Sequence, residues 1–521
     1  MRRRITLALL AISAAFAAPA AAQRLTIGVS AVPAAVDPHF HSGTSTQNLT
    51  YNLFDTLFTL TPEMRLAPGL AVSWTPVAET MWEVRLRPGV RWTDGRPFTA
   101  DDVVFTFGRA PNVPNTTGGY GGAVRSIART EVVDPLTLRI HTHAPAPNLP
   151  VELSVLAIVS RHAGEGATTE DYNAGRAAIG TGPYRLVRYS PNDQTELVRN
   201  DAWWGPRPDF EAATIKYLSN AASRTAALLS GTVDMIDTPS PNDLPRLQSD
   251  ARFAVFSRPG MRLVYLAPNQ AAEVAPFVTD NEGRPLARNP LRDRRVRQAL
   301  SIAINRGALA DRIMQGTATP NGQWLPPGTF SHNPDVPVPA FDPEAARRLL
   351  AEAGYPAGFR IAIHISTSSR PTDPPAAQAI AQMWTRIGVQ TTVEPMPFAA
   401  YAARAANLEF AMTMFGWASQ VDAGYALVNV FSTYSRERLT GAFNRSGYSS
   451  PALDALTARA TSTLDDTARE ALLREGVRMA MEDVAVIPLY QMTNIWAARR
   501  GIAYEPSGYD YTKLVQARIA R

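Results

Sequence analysis

The stretch Asp342-Pro343-Glu344-Ala345-Ala346-Arg347-Arg348-Leu349-Leu350-Ala351-Glu352-Ala353-Gly354 reads as one helix complete with its punctuation. Asp342 is the cap, and Pro343 stands in the first turn, where a missing N–H costs nothing. Ala346, Leu349, Leu350 and Ala353 make one apolar stripe, and Gly354 is the stop. Further on, Ile380, Met383, Trp384 and Ile387 repeat the helical spacing up to Gly388, after which Val389, Thr391 and Val393 alternate as a strand. A helix that passes at once into a strand is an αβ unit. Working outward, Ser450-Pro451 to Met481 holds two more helical stretches before an apolar strand from Val484 to Leu489, so the region from about 270 to 485 is expected to be an α/β lobe of its own.

Toward the N-terminus the pattern changes to β-structure. Leu25, Ile27 and Val29 alternate with small or polar residues, as a strand with one buried face should. Trp82-Glu83-Val84-Arg85-Leu86 alternates up to Pro88-Gly89, resumes at Val90-Arg91-Trp92 and meets a second turn at Asp94-Gly95. Thr99 then stands where it can cap the amide of Asp102, with Val103, Val104 and Phe107 on one helical face.

Composition bounds the function. A chain of 521 residues with 45% hydrophobic and 19% charged residues has enough apolar material for two or three lobes and is no disordered tail. The formal charge of +5 includes Arg2, Arg3 and Arg4. Once these are removed the remainder is near neutral, and nucleic-acid binding loses its electrostatic basis. Lys216 and Lys513 are the only lysines, so the pI of about 9.4 comes from a preference for arginine rather than from a basic patch.

Arg2-Arg3-Arg4, an apolar run from Ile5 to Ala18, and Ala20-Ala21-Ala22 before Gln23 have the three parts of a secretory signal, with cleavage expected after Ala22. The apolar run is shorter than the roughly 20 residues that span a bilayer. There is no cysteine, which excludes disulfides, a thiol nucleophile and the N-terminal cysteine of a lipid anchor. A soluble periplasmic protein is expected.

Catalytic signatures are missing: no Gly-x-Ser-x-Gly, no His-Glu-x-x-His, no phosphate loop and no calcium loop. Gly180-Thr181-Gly182 runs into Pro183 and suits an extended segment better than a phosphate cradle. His39/His41 and His141/His143 have chelate spacing on a strand, against the plainer reading of solvated positions without a third ligand. Trp203-Trp204 reads as core packing. Phe415-Gly416-Trp417 is the better candidate for ligand contact. An apolar run from Ala411 ends at a glycine, and Ser419, Gln420 and Asp422 follow in what is expected to be a loop bounded by Gly424-Tyr425.

Several blocks together resemble the family 5 extracellular solute-binding proteins, the periplasmic receptors of peptide, dipeptide and nickel ABC importers. They are Leu66-Ala67-Pro68-Gly69-Leu70-Ala71-Val72-Ser73-Trp74, Leu86-Arg87-Pro88-Gly89-Val90, Ala100-Asp101-Asp102-Val103, Gly180-Thr181-Gly182-Pro183-Tyr184, Arg199-Asn200, Arg295-Val296-Arg297-Gln298-Ala299-Leu300 and Ala353-Gly354-Tyr355-Pro356, collinear over most of the chain.

The resemblance implies an α/β periplasmic-binding-protein fold of two lobes and a hinge, with an inserted extra domain. Domain I would comprise residues 23–57, 179–268 and 486–521, domain II the insertion 58–178, and domain III residues 269–485. Hinge crossings would fall near Ala267-Pro268-Asn269 and Val486-Ile487-Pro488, with the ligand between domains I and III. Arg370, followed by Pro371, resembles the arginine with which dipeptide-binding members hold a ligand carboxylate; a solvated loop arginine is the competing reading. Where peptide-binding members read Gly-Trp-x-x-Asp, with the aspartate on the ligand amine, this chain reads Gly416-Trp417-Ala418-Ser419-Gln420, with Asp422 two residues on.

The expected ligand-binding set is Arg370, Trp417, Gln420, Asp422 and Tyr425, with no cofactor, no metal and no catalytic residue. A monomer is expected to bind a short peptide or small organic solute and deliver it to ABC permease subunits. A secreted hydrolase using Asp422 and a receptor presenting its ligand to a chemoreceptor are the rival readings.

Overall fold

The computed structural model describes residues 23–520 except 117, 118, 368, 369, 371, 419, 420 and 439; the expected signal sequence, residues 1–22, lies outside the described residues. One mixed sheet of twelve strands runs through the molecule. Its main path runs from Val278–Thr279 through Phe359–Ser366, Met412–Ala418, Phe253–Pro268, Ile487–Arg499, Met235–Asp237, Arg24–Val29, Ala212–Tyr217 and Gln194–Arg199 to Tyr184–Ser190. The long strands Phe253–Pro268 and Ile487–Arg499 lie antiparallel at its centre and belong to both halves.

The helix expected at 342–354 forms as Pro343–Glu352; Asp342 accepts the Ala345 amide at 2.8 Å, and Gly354 has φ +93°. Phe359–Ser366 and Val389–Met396 pair in parallel, joined by the helix Asp373–Arg386. Its Ile380 and Trp384 are wholly buried with Leu300, Ile363 and Ile487, and the Trp384 indole donates to the Leu300 carbonyl at 2.9 Å. Each aliphatic side chain so buried contributes about 1.5–3 kcal/mol. A second core, with Leu25, Ile27, Leu53, Ile215 and Trp496, lies in the other half.

The segment 58–178 carries its own four-stranded sheet, Ala71–Ala78, Met81–Leu86, Thr137–Thr142, Ile127–Asp134 in spatial order, and its own core around Trp82, Val84, Trp92, Phe98, Val103 and Ile140. The Thr99 cap forms with the helix Ala100–Arg109: Asp102 returns a carboxylate to the Thr99 amide at 3.0 Å. The other Asp102 oxygen takes the Arg161 amide at 2.8 Å. Gly180 and Gly182 explain themselves by packing. A Cβ there would sit 1.9 and 2.7 Å from the Leu53 carbonyl oxygen, which accepts the Gly182 amide at 2.9 Å.

One expected strand is displaced. Val484 adopts φ +51°, so extended structure starts at Ile487 and runs to Arg499 rather than covering Val484 to Leu489.

A cleft beside the crossing strands

The two central strands pair in two blocks. Phe253 to Pro259 face Arg499 to Thr493, then pairing breaks, and Leu263 to Leu266 face Gln491 to Ile487 with a second irregularity between Val264 and Tyr265. Gly260, Met261 and Arg262 occupy the first break. A Cβ on Gly260 would lie 2.8 Å from Asn494 Oδ1 and 2.9 Å from the Met492 carbonyl oxygen. The Met261 amide turns to the Gly508 carbonyl at 3.0 Å, while Asn494 Nδ2 donates to the Ser507 and Gly508 carbonyls at 3.1 and 2.9 Å. The C-terminal segment is thereby tied to the break. The crossings expected near residues 267–269 and 486–488 lie at the far ends of these strands, whereas the larger irregularity, where a bend costs least ladder, is at 259–263.

Arg370 lies in the stretch ahead of Asp373–Arg386. Its Nε and Nη2 donate to Asp373 Oδ1 and Oδ2 at 2.8 and 2.7 Å. Burial raises the Asp373 carboxyl pKa, opposed by the adjoining guanidinium. The rest of the guanidinium lies over Gly416, where a Cβ would come within 2.1 Å of Nη1 and 2.7 Å of Cζ. Only glycine allows this overlay. The Gly416-Trp417 pair is therefore inside the strand Met412–Ala418, opposite Val264 and Leu263, and not in the loop expected after it, because the backbone continues its pairing while the missing side chain makes room.

Trp417 stacks on Tyr425 with centroids 5.8 Å apart and meets the edge of Phe443 at 4.7 Å. Among the described residues its buried indole N–H finds no hydrogen-bond partner. Tyr425 is 43% exposed. Tyr490 has a buried hydroxyl, also unpartnered, and feels the charges of Asp373 and Arg370. Gln420 lies outside the described residues.

Asp422 goes elsewhere. It is buried, accepts the Gly424 amide at 2.8 Å and is ion-paired with Arg469 Nη1 at 2.6 Å. The same nitrogen donates to Asn148 Oδ1 at 2.8 Å, so this pair also ties the segment 58–178 to the lobe that follows the first crossing strand. A carboxylate held by its own arginine and amide is poorly placed to stand in for an amine-pairing aspartate, or to act as the acid of a hydrolase.

Residues 65–437 match the model for the middle region of the bacterial extracellular solute-binding proteins, family 5. The chain belongs to this family. It is 29% identical to the dipeptide-binding protein of Escherichia coli (strain K12) over 377 residues, 67% of each chain. It is also 29% identical to heme-binding protein A of Haemophilus influenzae over 474 residues, 85% of this chain and 83% of that one. Among solved structures, HbpA2 from Haemophilus parasuis superposes with a TM-score of 0.82 at 24% identity, covering 96% of this chain and 100% of the other. Family 5 relatives are substrate-binding transport proteins, and the α/β fold described above is theirs.

The other candidates of this family 5 chain are absorbed by packing. His39 is fully buried, with Nε2 2.8 Å from the Ala157 carbonyl and Nδ1 2.9 Å from Arg109. Burial first, then Arg109's charge, pushes its pKa down to about 4. His141 lies on a half-exposed strand face, 3.3 Å from Glu131. Among the described residues no three histidine or acidic side chains are grouped to hold a metal ion.

Trp203 and Trp204 both donate to Asp55 Oδ2, at 3.2 and 2.7 Å. They line a separate cavity of about 190 Å³ with Tyr51, Tyr511 and Lys513. Burial, only partly offset by the indoles, pushes Asp55 up to about 6. Among the described residues no helix is long and apolar enough to cross a membrane.

Proposed function

We propose that this family 5 protein is the periplasmic binding component of an ABC importer, closing two lobes around a short peptide or other small organic solute that carries a carboxylate, and delivering it unchanged to the permease. The observation that supports this reading is the setting of Arg370. Asp373 fixes one edge of the guanidinium, Gly416 makes room for the other, and among the described residues Nη1 has no hydrogen-bond partner. A fixed planar donor fork suits a carboxylate on a small body. Trp417 and Tyr425 are a stacked aromatic pair, and Gln420, at the position of the amine-pairing aspartate, offers a neutral amide. A free ammonium there would lack a carboxylate partner, since Asp422 is held by Arg469. The favoured ligand therefore has a carboxylate at one end and a neutral or blocked group at the other.

Native mass spectrometry of protein taken from its own periplasm should show such a ligand retained. Titration calorimetry with a free and an N-acetylated dipeptide then tests the site. The acetylated form should bind more tightly, Arg370→Ala should weaken it by about 1.5–3 kcal/mol, and the ligand's mass should be unchanged afterwards. Tighter binding of the free-amine form, untouched by Arg370→Ala, would overturn the assignment, and a cleaved ligand would restore the hydrolase.

A further inference from the structure

Two other arginines converge on the cleft. Arg262 stands at the pairing break of the first crossing strand, directly opposite Ala418, so by cross-strand register it shares the sheet face of Gly416, over which Arg370 lies. Arg445 holds its guanidinium 5.5 Å over the Phe443 ring, which itself packs on Trp417. Its Nη1 donates to the Ala442 carbonyl at 3.1 Å.

Among the described residues neither arginine has a carboxylate within ion-pair distance, whereas Arg370 has Asp373. Arg262 is open to water yet crowded by protein. Desolvation, the largest effect, and the like charge of Arg370 lower its pKa, while Asp510 opposes them. Burial raises the pKa of the Tyr265 hydroxyl, and the charges of Arg445 and Arg370 both oppose it. Like charges gathered at the margin of a cleft repel one another and are retained at a cost unless a counter-charge arrives.

We propose that Arg262 and Arg445 are specificity-determining residues that flank Arg370, and that the protein selects solutes bearing at least two carboxylates, one for Arg370 and another for the flanking pair. This rests on the cleft being the ligand site. An acidic peptide and a non-peptide dicarboxylic acid share this chemistry.

Calorimetry on the full mature chain with N-acetyl-Ala-Ala and N-acetyl-Ala-Glu separates one acid from two. The diacid should bind about tenfold or more tightly than the monoacid at low salt, with the gap narrowing as salt rises. Arg262→Gln/Arg445→Gln should remove that gap while leaving N-acetyl-Ala-Ala within about threefold of the parent, and thermal melting of the double variant would show that it stays folded. Equal affinities on the parent, or a gap that survives in the double variant, would overturn the inference.

If neither peptide binds, glutarate and phthalate against their monomethyl esters decide it. A diacid preference lost in the double variant would sustain the inference while removing the peptide reading, and no preference would overturn it. Arg370→Ala in the same series should weaken all acids alike, so that failure of the cleft as the site is distinguishable from failure of its selectivity.

Discussion

Arg109 and Arg262 carry the same side chain into opposite circumstances. Arg109 gives Nη1 and Nη2 to Asp37 at 2.9 and 2.6 Å, and that carboxylate also accepts from Thr169 Oγ1 at 3.0 Å and the His39 amide at 3.1 Å. Arg469 is matched to Asp422 in the same way, and Arg306 is enclosed by the Pro488 and Ser301 carbonyls, its pKa lowered to about 10 by burial. Among the described residues Arg262 and Arg445 have no carboxylate within ion-pair distance, and Arg370 keeps Nη1 without a hydrogen-bond partner. Where the fold buries a charge it supplies a partner for it from elsewhere in the chain. Where the charge meets the cleft, the partner is left for something else to bring.

That contrast is broken most sharply from the saturated side. Arg109→Met leaves Asp37 buried without its cation and should cost about 3–5 kcal/mol of folding stability in urea. Retained ligand affinity in the surviving folded fraction should accompany it. A loss below about 1 kcal/mol would mean that the pair does not hold this region together.

The next effect is titration of the same cluster. His39 has a folded pKa of about 4 against an ordinary 6.5, so the unfolded chain takes up its proton first. Its contribution is present above pH 6.5 and is lost as pH falls through 4, roughly 3 kcal/mol in all. Urea midpoints across that window should drop in the parent and slope less in His39→Gln; equal slopes would dissociate the histidine from acid lability.

On the cleft side the losses should appear in binding. Gly416→Ala puts a methyl into the Arg370 guanidinium and should weaken carboxylate ligands by about 1.5–3 kcal/mol, as Arg370→Ala does. Unchanged calorimetric affinity would show that the overlay is not used. The smallest effect completes the comparison: Arg262→Gln should change stability by less than about 0.5 kcal/mol, because no hydrogen bond or ion pair of the folded protein is lost. A larger loss in urea would make it a fold residue like Arg109.

Local chemistry was readable from the chain. Asp342, Pro343 and Gly354 bound a helix because caps and stops act within a few residues of themselves, and the alternation through Val389, Thr391 and Val393 marks a strand for the same reason. Arg370 and Trp417 were found by the motifs around them. What could not be read were contacts between distant parts of the chain. Asp422 looked like a loop acid until the fold set Arg469 against it, and Gly416 looked like the end of a strand until Arg370 was laid across it.

Arg262 and Arg445 carried no motif at all. They meet the cleft only because one stands opposite Ala418 in the sheet and the other over Phe443. The sequence by itself determined the helices, the strands and the family, since propensity, capping and periodicity are properties of neighbours along the chain. Which charges are spent inside the protein and which remain for a ligand was decided by the tertiary structure alone, because a charge is neutralised by whatever lies within a few ångströms of it in space, however far away in sequence.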